Sequence, residues 1–277
     1  MARVLRLPGP PLGGFLAHTG WSLDPALITA AGVAVVVFAR GFRRLRRRGR
    51  ADLAGWRRAA LFGLAVVLGL LVLLSPLDAV AEDELLSAHM LQHVVLGDLV
   101  PLLLVLALRG PLLFFVVPVR LGRVAAGIGP VPAFAFWLVA LGAWHVPAAY
   151  DAALSRPLLH VAEHACFFTA GVLVWTQLLD PARRGVLSRW GAIGYAAALL
   201  TVGQLLANTL ILTSSVVYPA YADSHLFGLS ARSDQDAAGL VMMLEQLATL
   251  GTFALPGVYA ALRAPLTLRE DGHPLGA

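Results

Sequence analysis

Lysine is absent from this 277-residue chain, cysteine occurs once, and charged residues make up only 13% of it; ordinary soluble domains carry about 25% charge. The single cysteine, Cys166, excludes an intramolecular disulfide framework, a paired-cysteine metal motif and a four-cysteine zinc site. Apolar residues stand where charge is missing: 58% of the chain is hydrophobic and mean hydropathy is +0.77. A membrane-spanning helix takes about 20 apolar residues, so seven would use about 140. No stretch between apolar segments exceeds about 22 residues, too few for a soluble domain of ordinary size. The chain reads as an integral membrane protein.

All 21 basic residues are arginine, and a net charge of +5 could suggest nucleic acid. Their distribution argues against it. Nine of them (Arg40, Arg43, Arg44, Arg46, Arg47, Arg48, Arg50, Arg57 and Arg58) fall in one short segment between apolar runs, where arginine fixes orientation and contacts anionic lipid head groups.

Apolar runs predict seven helices, an all-α polytopic fold, at 25–40, 58–75, 84–108, 131–150, 157–179, 191–214 and 237–262. Proline and cap chemistry mark starts at Asp24-Pro25, Pro130, Arg156-Pro157 and Asp236, and ends at Ser75-Pro76 and Asp180-Pro181. Residues 1–24 form an extracytoplasmic segment, 25–262 the transmembrane domain and 263–277 a cytoplasmic tail. Residues 1–20 lack an apolar core and a small-residue cleavage site, so no cleaved signal peptide is expected. With this helix count, seventeen arginines fall on one side and four (Arg3, Arg6, Arg156 and Arg232) on the other. The positive-inside rule then places the N-terminus outside and the C-terminus in the cytoplasm. The acidic loop 76–84 lies outside. The stretch PLLFFVVP, 111–118, is too short to span and lies at, or dips into, the cytoplasmic interface.

Orientation gives each histidine a depth. His89 and His93 follow the outer start of the third helix by roughly 8 and 14 Å at 1.5 Å per residue. His145 sits near the outer end of the fourth helix, and His160 and His164, again four apart, lie on one stripe of the fifth. Five of eight histidines therefore converge in the outer half of three consecutive helices; His18, His225 and His273 lie outside the spans. Ionisable groups within a bilayer are functional candidates by default, and neutral imidazole is the commonest protein metal ligand. The pattern points to a metal or cofactor site.

Imidazole suits zinc, copper, iron and nickel, while thioether selects Cu(I). Met90 adjoins His89, and Met242 and Met243 enter the same layer from the seventh helix with Glu245 and Gln246, which favours copper unless the methionines are apolar filling. Cys166 is either a third soft ligand or an inert buried thiol. Asp98, near mid-membrane, either carries protons or pairs with Asn208 or Gln204. Glu163 either orients a ligand histidine or balances the charge of a cation. Together with His160 and His164 it forms HxxEH, a pattern shared with zinc peptidases in which the glutamate is the base.

Five motifs in order complete the reading: W-x-x-D-P at 21–25; S-P-L-D-A at 75–79 followed by A-H-M-L-Q-H at 88–93; W-H-V-P-A-A-Y-D-A-A-L at 144–154; H-x-x-E-H-x-x-F at 160–167; and D-Q-x-x-A-G-L-x-M-M at 234–243. Over residues 21–263 the chain resembles the seven-helix CtaG proteins that assist assembly of caa3-type cytochrome c oxidase. The resemblance implies a multi-pass protein of the bacterial plasma membrane, required for active oxidase, that helps place copper at the haem-copper centre. Its histidine motifs fall on His89, His93, His145, His160 and His164. The expectation is a non-enzymatic chaperone that holds Cu(I) with two or three of these five histidines and Met90 or Met242. An extracytoplasmic donor would supply the copper and an oxidase subunit receive it. Two other classes stand beside it: a zinc-dependent intramembrane hydrolase in which Glu163 or Glu245 activates water, and a haem protein with paired axial histidines.

Overall fold

The computed structural model describes residues 20–223 and 226–262. The first nineteen residues, with Arg3, Arg6 and His18, lie outside the described residues, as do His225 and the tail 263–277 with Arg263, Arg269 and His273. Among the described residues all regular structure is helical.

Helix α1 spans Pro25–Arg47, with Asp24 at its N-cap accepting from the Ala26 and Leu27 amides. It runs past the predicted end at residue 40 because arginine is a good helix former and a cation is favoured in the last turn. The basic segment is thus largely helix, and its guanidinium groups have local work: Arg46 donates to the Ala54 carbonyl and lies over Trp56, and Arg44 lies over Phe115. Helix α2 is Trp56–Leu74. The acidic loop expected at 76–84 contains a short helix, α3, at Leu77–Asp83.

Helix α4 occupies Leu86–Ala107 and opens into a π turn at Val95–Leu99. Short helices α5 (Pro111–Val116) and α6 (Val119–Gly127) follow. Helix α5 is the PLLFFVVP stretch, and it covers the end of α1: Leu112 and Phe115 pack with Phe38, Phe42 and Leu45. Helices α7 (Pro130–Trp144) and α8 (Pro147–Ser155) correspond to the single span expected at 131–150, but they meet at 77°. Pro147 cannot donate a backbone hydrogen bond, and it drives the preceding Val146 into extended geometry at ψ 124°. The break leaves His145 at the corner.

Helix α9 is Pro157–Leu179 and α10 is Arg189–Leu212. Helix α11 begins at Ala231, six residues before its predicted start at 237, because Ser230 rather than Asp236 is the cap, accepting from the Ser233 amide. It passes through a second π turn at Leu247–Gly251 and continues to Leu262. Six of these helices are long and apolar enough to cross a membrane, and the bent pair α7–α8 makes a seventh crossing if it is one span.

Helix α4 is the centre of the bundle: over half of its spanning window is buried, against 17% for α1. It meets α9 through two glycines. A Cβ at Gly171 would collide with the Gly97 carbonyl, and one at Gly97 would press on Phe167 at 3.3 Å. Small residues are how membrane helices approach closely, and this crossing brings the two histidine pairs, about one to three turns away, within reach of each other.

The bundle has two unlike ends. At one, three arginine-bearing connections meet: Arg58 donates to the Arg109 carbonyl, Arg109 to the Leu179 carbonyl, and the Gly110 amide to the Pro181 carbonyl. The five histidines lie toward the other.

Candidate metal centre

The histidine end is built on the first turns of α4, which have no cap of their own. Asp234, on the first turn of α11, supplies one from outside: its carboxylate accepts from the Leu86 amide at 2.7 Å, the Ser87 amide at 3.1 Å and the Ser87 hydroxyl. An anion against a helix N-terminus satisfies amides that would otherwise be orphaned and complements the dipole. The start of α4, with His89 and His93, is thereby fixed to α11.

The five predicted histidines fall around one region with common wiring. His89 Nδ1 faces the Ala81 carbonyl at 3.2 Å, and Tyr221, hydrogen-bonded in turn to Tyr150, donates to the same carbonyl. His145 Nδ1 faces the Leu141 carbonyl at 2.8 Å, and His160 Nδ1 faces Glu82 at 2.8 Å. In each case Nδ1–H donates to an oxygen, which leaves Nε2 as the free lone pair. The buried Nε2 atoms of His145, His160 and His164 and the Nδ1 of His93 have no hydrogen-bond partner. Metal-ligating histidines are held in this way, one ring nitrogen tied to a carboxylate or carbonyl and the other presented to the ion.

The rings converge, with His89 Nε2 and His93 Nε2 hydrogen-bonded to each other at 2.9 Å. Two overlapping groups have ligand atoms that all lie within 4.8 Å of one another: His89, His93 and His164; and His89, His160 and Glu163. His89 belongs to both. His145 stands one ring farther out, its centroid 6.2 Å from that of His93, and Cys166 is in neither group.

Glu163 is fully buried, and neither carboxylate oxygen receives a hydrogen bond. Its nearest cationic candidates are His93 Nε2 at 3.5 Å and His89 Nε2 at 3.9 Å. An unpaired carboxylate is costly to bury, so this arrangement is suited to a cation between Glu163 and the imidazoles.

Met90 and Met242 are buried together in an apolar cluster with Tyr150 and Tyr218, while Met243 packs at its edge. Both buried methionines also line a cavity of about 70 Å³ shared with His93 and His145. Asp98 and Glu245 line the same cavity. The expected pairing of Asp98 with Asn208 or Gln204 does not occur: Asn208 donates to the Gln204 carbonyl at 2.7 Å and Gln204 to the Met243 carbonyl at 3.1 Å. Both amides lie on α10 and are engaged by backbone. Asp98 instead accepts from Trp175 Nε1 and, at 2.9 Å, from the Thr249 hydroxyl. Asp98 is in the π turn of α4, and Thr249 is in that of α11. Such turns often mark functional positions.

Glu82, Tyr150, Tyr221, Asp234, Trp175 and Thr249 support the site and were given no role from sequence. Tyr150 and Asp234 stood inside quoted motifs, and Glu82 in the acidic loop, but each acts on a residue distant in sequence. The contact with His160, chiefly its hydrogen bond, holds the Glu82 carboxyl below the usual carboxylate range. Burial pushes Asp78 the other way, against the hydrogen bond it accepts from Gln92.

Comparison with known proteins bears on what this centre serves. The profile of the family described as cytochrome c oxidase caa3 assembly factor (Caa3_CtaG) matches residues 36–263. The uncharacterized proteins Mb0105 of Mycobacterium bovis and MT0111 of Mycobacterium tuberculosis are each 33% identical to the chain over 202 residues. That match covers 72% of this chain, and the chain spans 27% of the length of these relatives. No solved structure matches. The matched profile takes in every histidine of the centre, Asp234 and both π turns, and the chain belongs to the Caa3_CtaG family of cytochrome c oxidase caa3 assembly factors.

Proposed function

We propose that this assembly factor binds Cu(I) as cargo at the cluster of His89, His93, His160 and His164 and passes it to a subunit of cytochrome c oxidase. The observation that carries the reading is the set of orphaned atoms: buried imidazole nitrogens and both oxygens of Glu163 lack partners and face a common space. Cu(I) accepts low coordination by soft or borderline donors. Overlapping groups that share His89 would let the ion change ligands stepwise, as delivery requires, with Glu163 balancing its charge. Met90 and Met242 stand beside the site as further soft donors, and His145 on the cavity wall as a reserve imidazole. The arginine-rich end faces the cytoplasm of a bacterial plasma membrane under the positive-inside rule, so the histidine end faces the side where an extracytoplasmic donor would bring copper.

Family membership favours assembly over hydrolysis. Imidazole rings packed against each other at centroid separations of 4.3 to 6.2 Å disfavour a porphyrin between them. Metal content and absorption spectra of the detergent-purified chain test the reading. Near-stoichiometric copper, lost in the His160→Ala, His164→Ala double variant, supports it; zinc with bound water, or a haem absorption band, overturns it. In a deletion background, the His89→Ala, His93→Ala variant should insert normally yet fail to restore oxidase activity.

A further inference from the structure

The end of the bundle opposite the histidines carries a second feature, independent of copper. Arg58 at the start of α2, Arg109 after α4 and Arg183 after α9 line one pocket of about 310 Å³, closed by Leu53, Gly110 and Pro181. The arginines come from three separate segments, and among the described residues no acidic side chain lines the pocket. Arg109 and Arg183 act on Arg58 as like charges. Concentrating guanidinium groups without a counter-charge is unfavourable unless an anion is bound there.

The pocket is built as well as charged. Arg58 and Arg109 are tied to the backbone carbonyls of Arg109 and Leu179, and the Gly110 amide to that of Pro181, so the three connections are locked together around it. Gly110 adopts a positive φ of 67°, open to glycine. Arg183 adopts φ 56°, a left-handed conformation costly for a residue with a side chain and one that clusters at ligand-holding positions. Guanidinium matches phosphate through paired N–H donors, and basic pockets between transmembrane helices on the cytoplasmic side suit anionic lipid head groups.

We propose that Arg58, Arg109 and Arg183 form a phosphate-binding site at the junction of the three connections, for a phosphate monoanion or diester. Two sources share this chemistry: the head group of an anionic phospholipid, and free phosphate from solution.

Native mass spectrometry of the full chain, exchanged into detergent with phosphatidylglycerol or phosphatidylcholine, separates them, alongside thermal melts in inorganic phosphate. The lipid arm predicts retention of phosphatidylglycerol over phosphatidylcholine, weakened about fivefold by Arg183→Gln, the loss of one basic contact worth ~1 kcal/mol. The phosphate arm predicts a melting temperature raised by inorganic phosphate, a shift reduced in the same variant. Arg183→Gln leaves the interloop bonds of Arg58 and Arg109 in place, which protects the test from simple unfolding. Arg43→Gln, an exposed arginine outside the pocket, must leave both readouts unchanged. Equal loss in the two variants marks general surface attraction and overturns the proposal. So does wild-type protein that neither retains phosphatidylglycerol nor responds to phosphate. Copper content is untouched in every arm, so failure here is distinguishable from failure of the copper reading.

Discussion

The histidine end and the arginine end of this bundle solve opposite problems. At the histidine end, polar side chains are buried between α3, α4, α7 and α9, and several buried atoms have no partner. The helices are held there by side chains: Asp234 capping α4, Glu82 meeting His160, and Tyr221 reaching the Ala81 carbonyl. At the arginine end, charge sits near the surface and the connections are held mainly through backbone carbonyls. Imidazoles and soft donors belong to the first end, guanidinium cations to the second. The difference teaches where each kind of ligand can be held: a metal needs neutral nitrogens freed of competing hydrogen bonds, and an anion needs fixed positive charge.

The comparison breaks most severely if the histidines are removed without effect. His160→Ala with His164→Ala should abolish copper binding while circular dichroism shows the helices intact; metal retained at wild-type affinity would end the assignment. Glu163→Gln is the next largest change, lowering copper affinity by about 10- to 100-fold; an unchanged dissociation constant would make Glu163 a bystander. Gly171→Ala should destabilise by about 1–3 kcal/mol in thermal unfolding, since its methyl meets the Gly97 carbonyl. Gly142→Ala, with open space around it, is the neutral control.

Protons sharpen the contrast further. Copper affinity should fall as pH is lowered, because protons compete with the metal for the imidazole nitrogens. Retention of phosphatidylglycerol at the arginine end should be flat over the same interval, as no guanidinium titrates there. At lower pH the contact between α3 and α9 weakens. Glu82 has a folded-state pKa below its ordinary value, so its contribution is present above the carboxylate range and lost as pH falls through it. Glu82→Gln should remove that part of the acid sensitivity. The smallest effect expected is from Cys166→Ser, less than about twofold in copper affinity, given its place outside both ligand groups; a larger change would restore the thiol as a ligand.

The helices were legible because apolar length and proline placement are local properties. Three details were not. The break at His145 required weighing Pro147 against the apolar run around it, and the run alone reads as one straight span. The basic segment after residue 40 read as a loop because its arginines end the apolar run that marks a span, although arginine itself favours helix. The start of α11 was misplaced because Ser230 and Asp236 are both plausible caps, and only the fold assigns Asp234 to α4. In the site, the spacing of His89 with His93 and of His160 with His164 announced two pairs on two stripes. That Asp98 would meet Thr249 and Trp175 rather than Asn208 or Gln204 had no local signature.

From sequence alone come the membrane-spanning character, the helix count within one broken span, the segregation of arginine from histidine, and the identity of the imidazoles; each follows from composition or from spacing within one helix. Tertiary structure alone decided which nitrogens are tied and which are free, that His89 is common to both ligand groups while His145 stands apart, and that Glu163 is buried without a donor. Those outcomes depend on how closely α4 and α9 approach at Gly97 and Gly171, a distance set by contact between residues more than seventy positions apart.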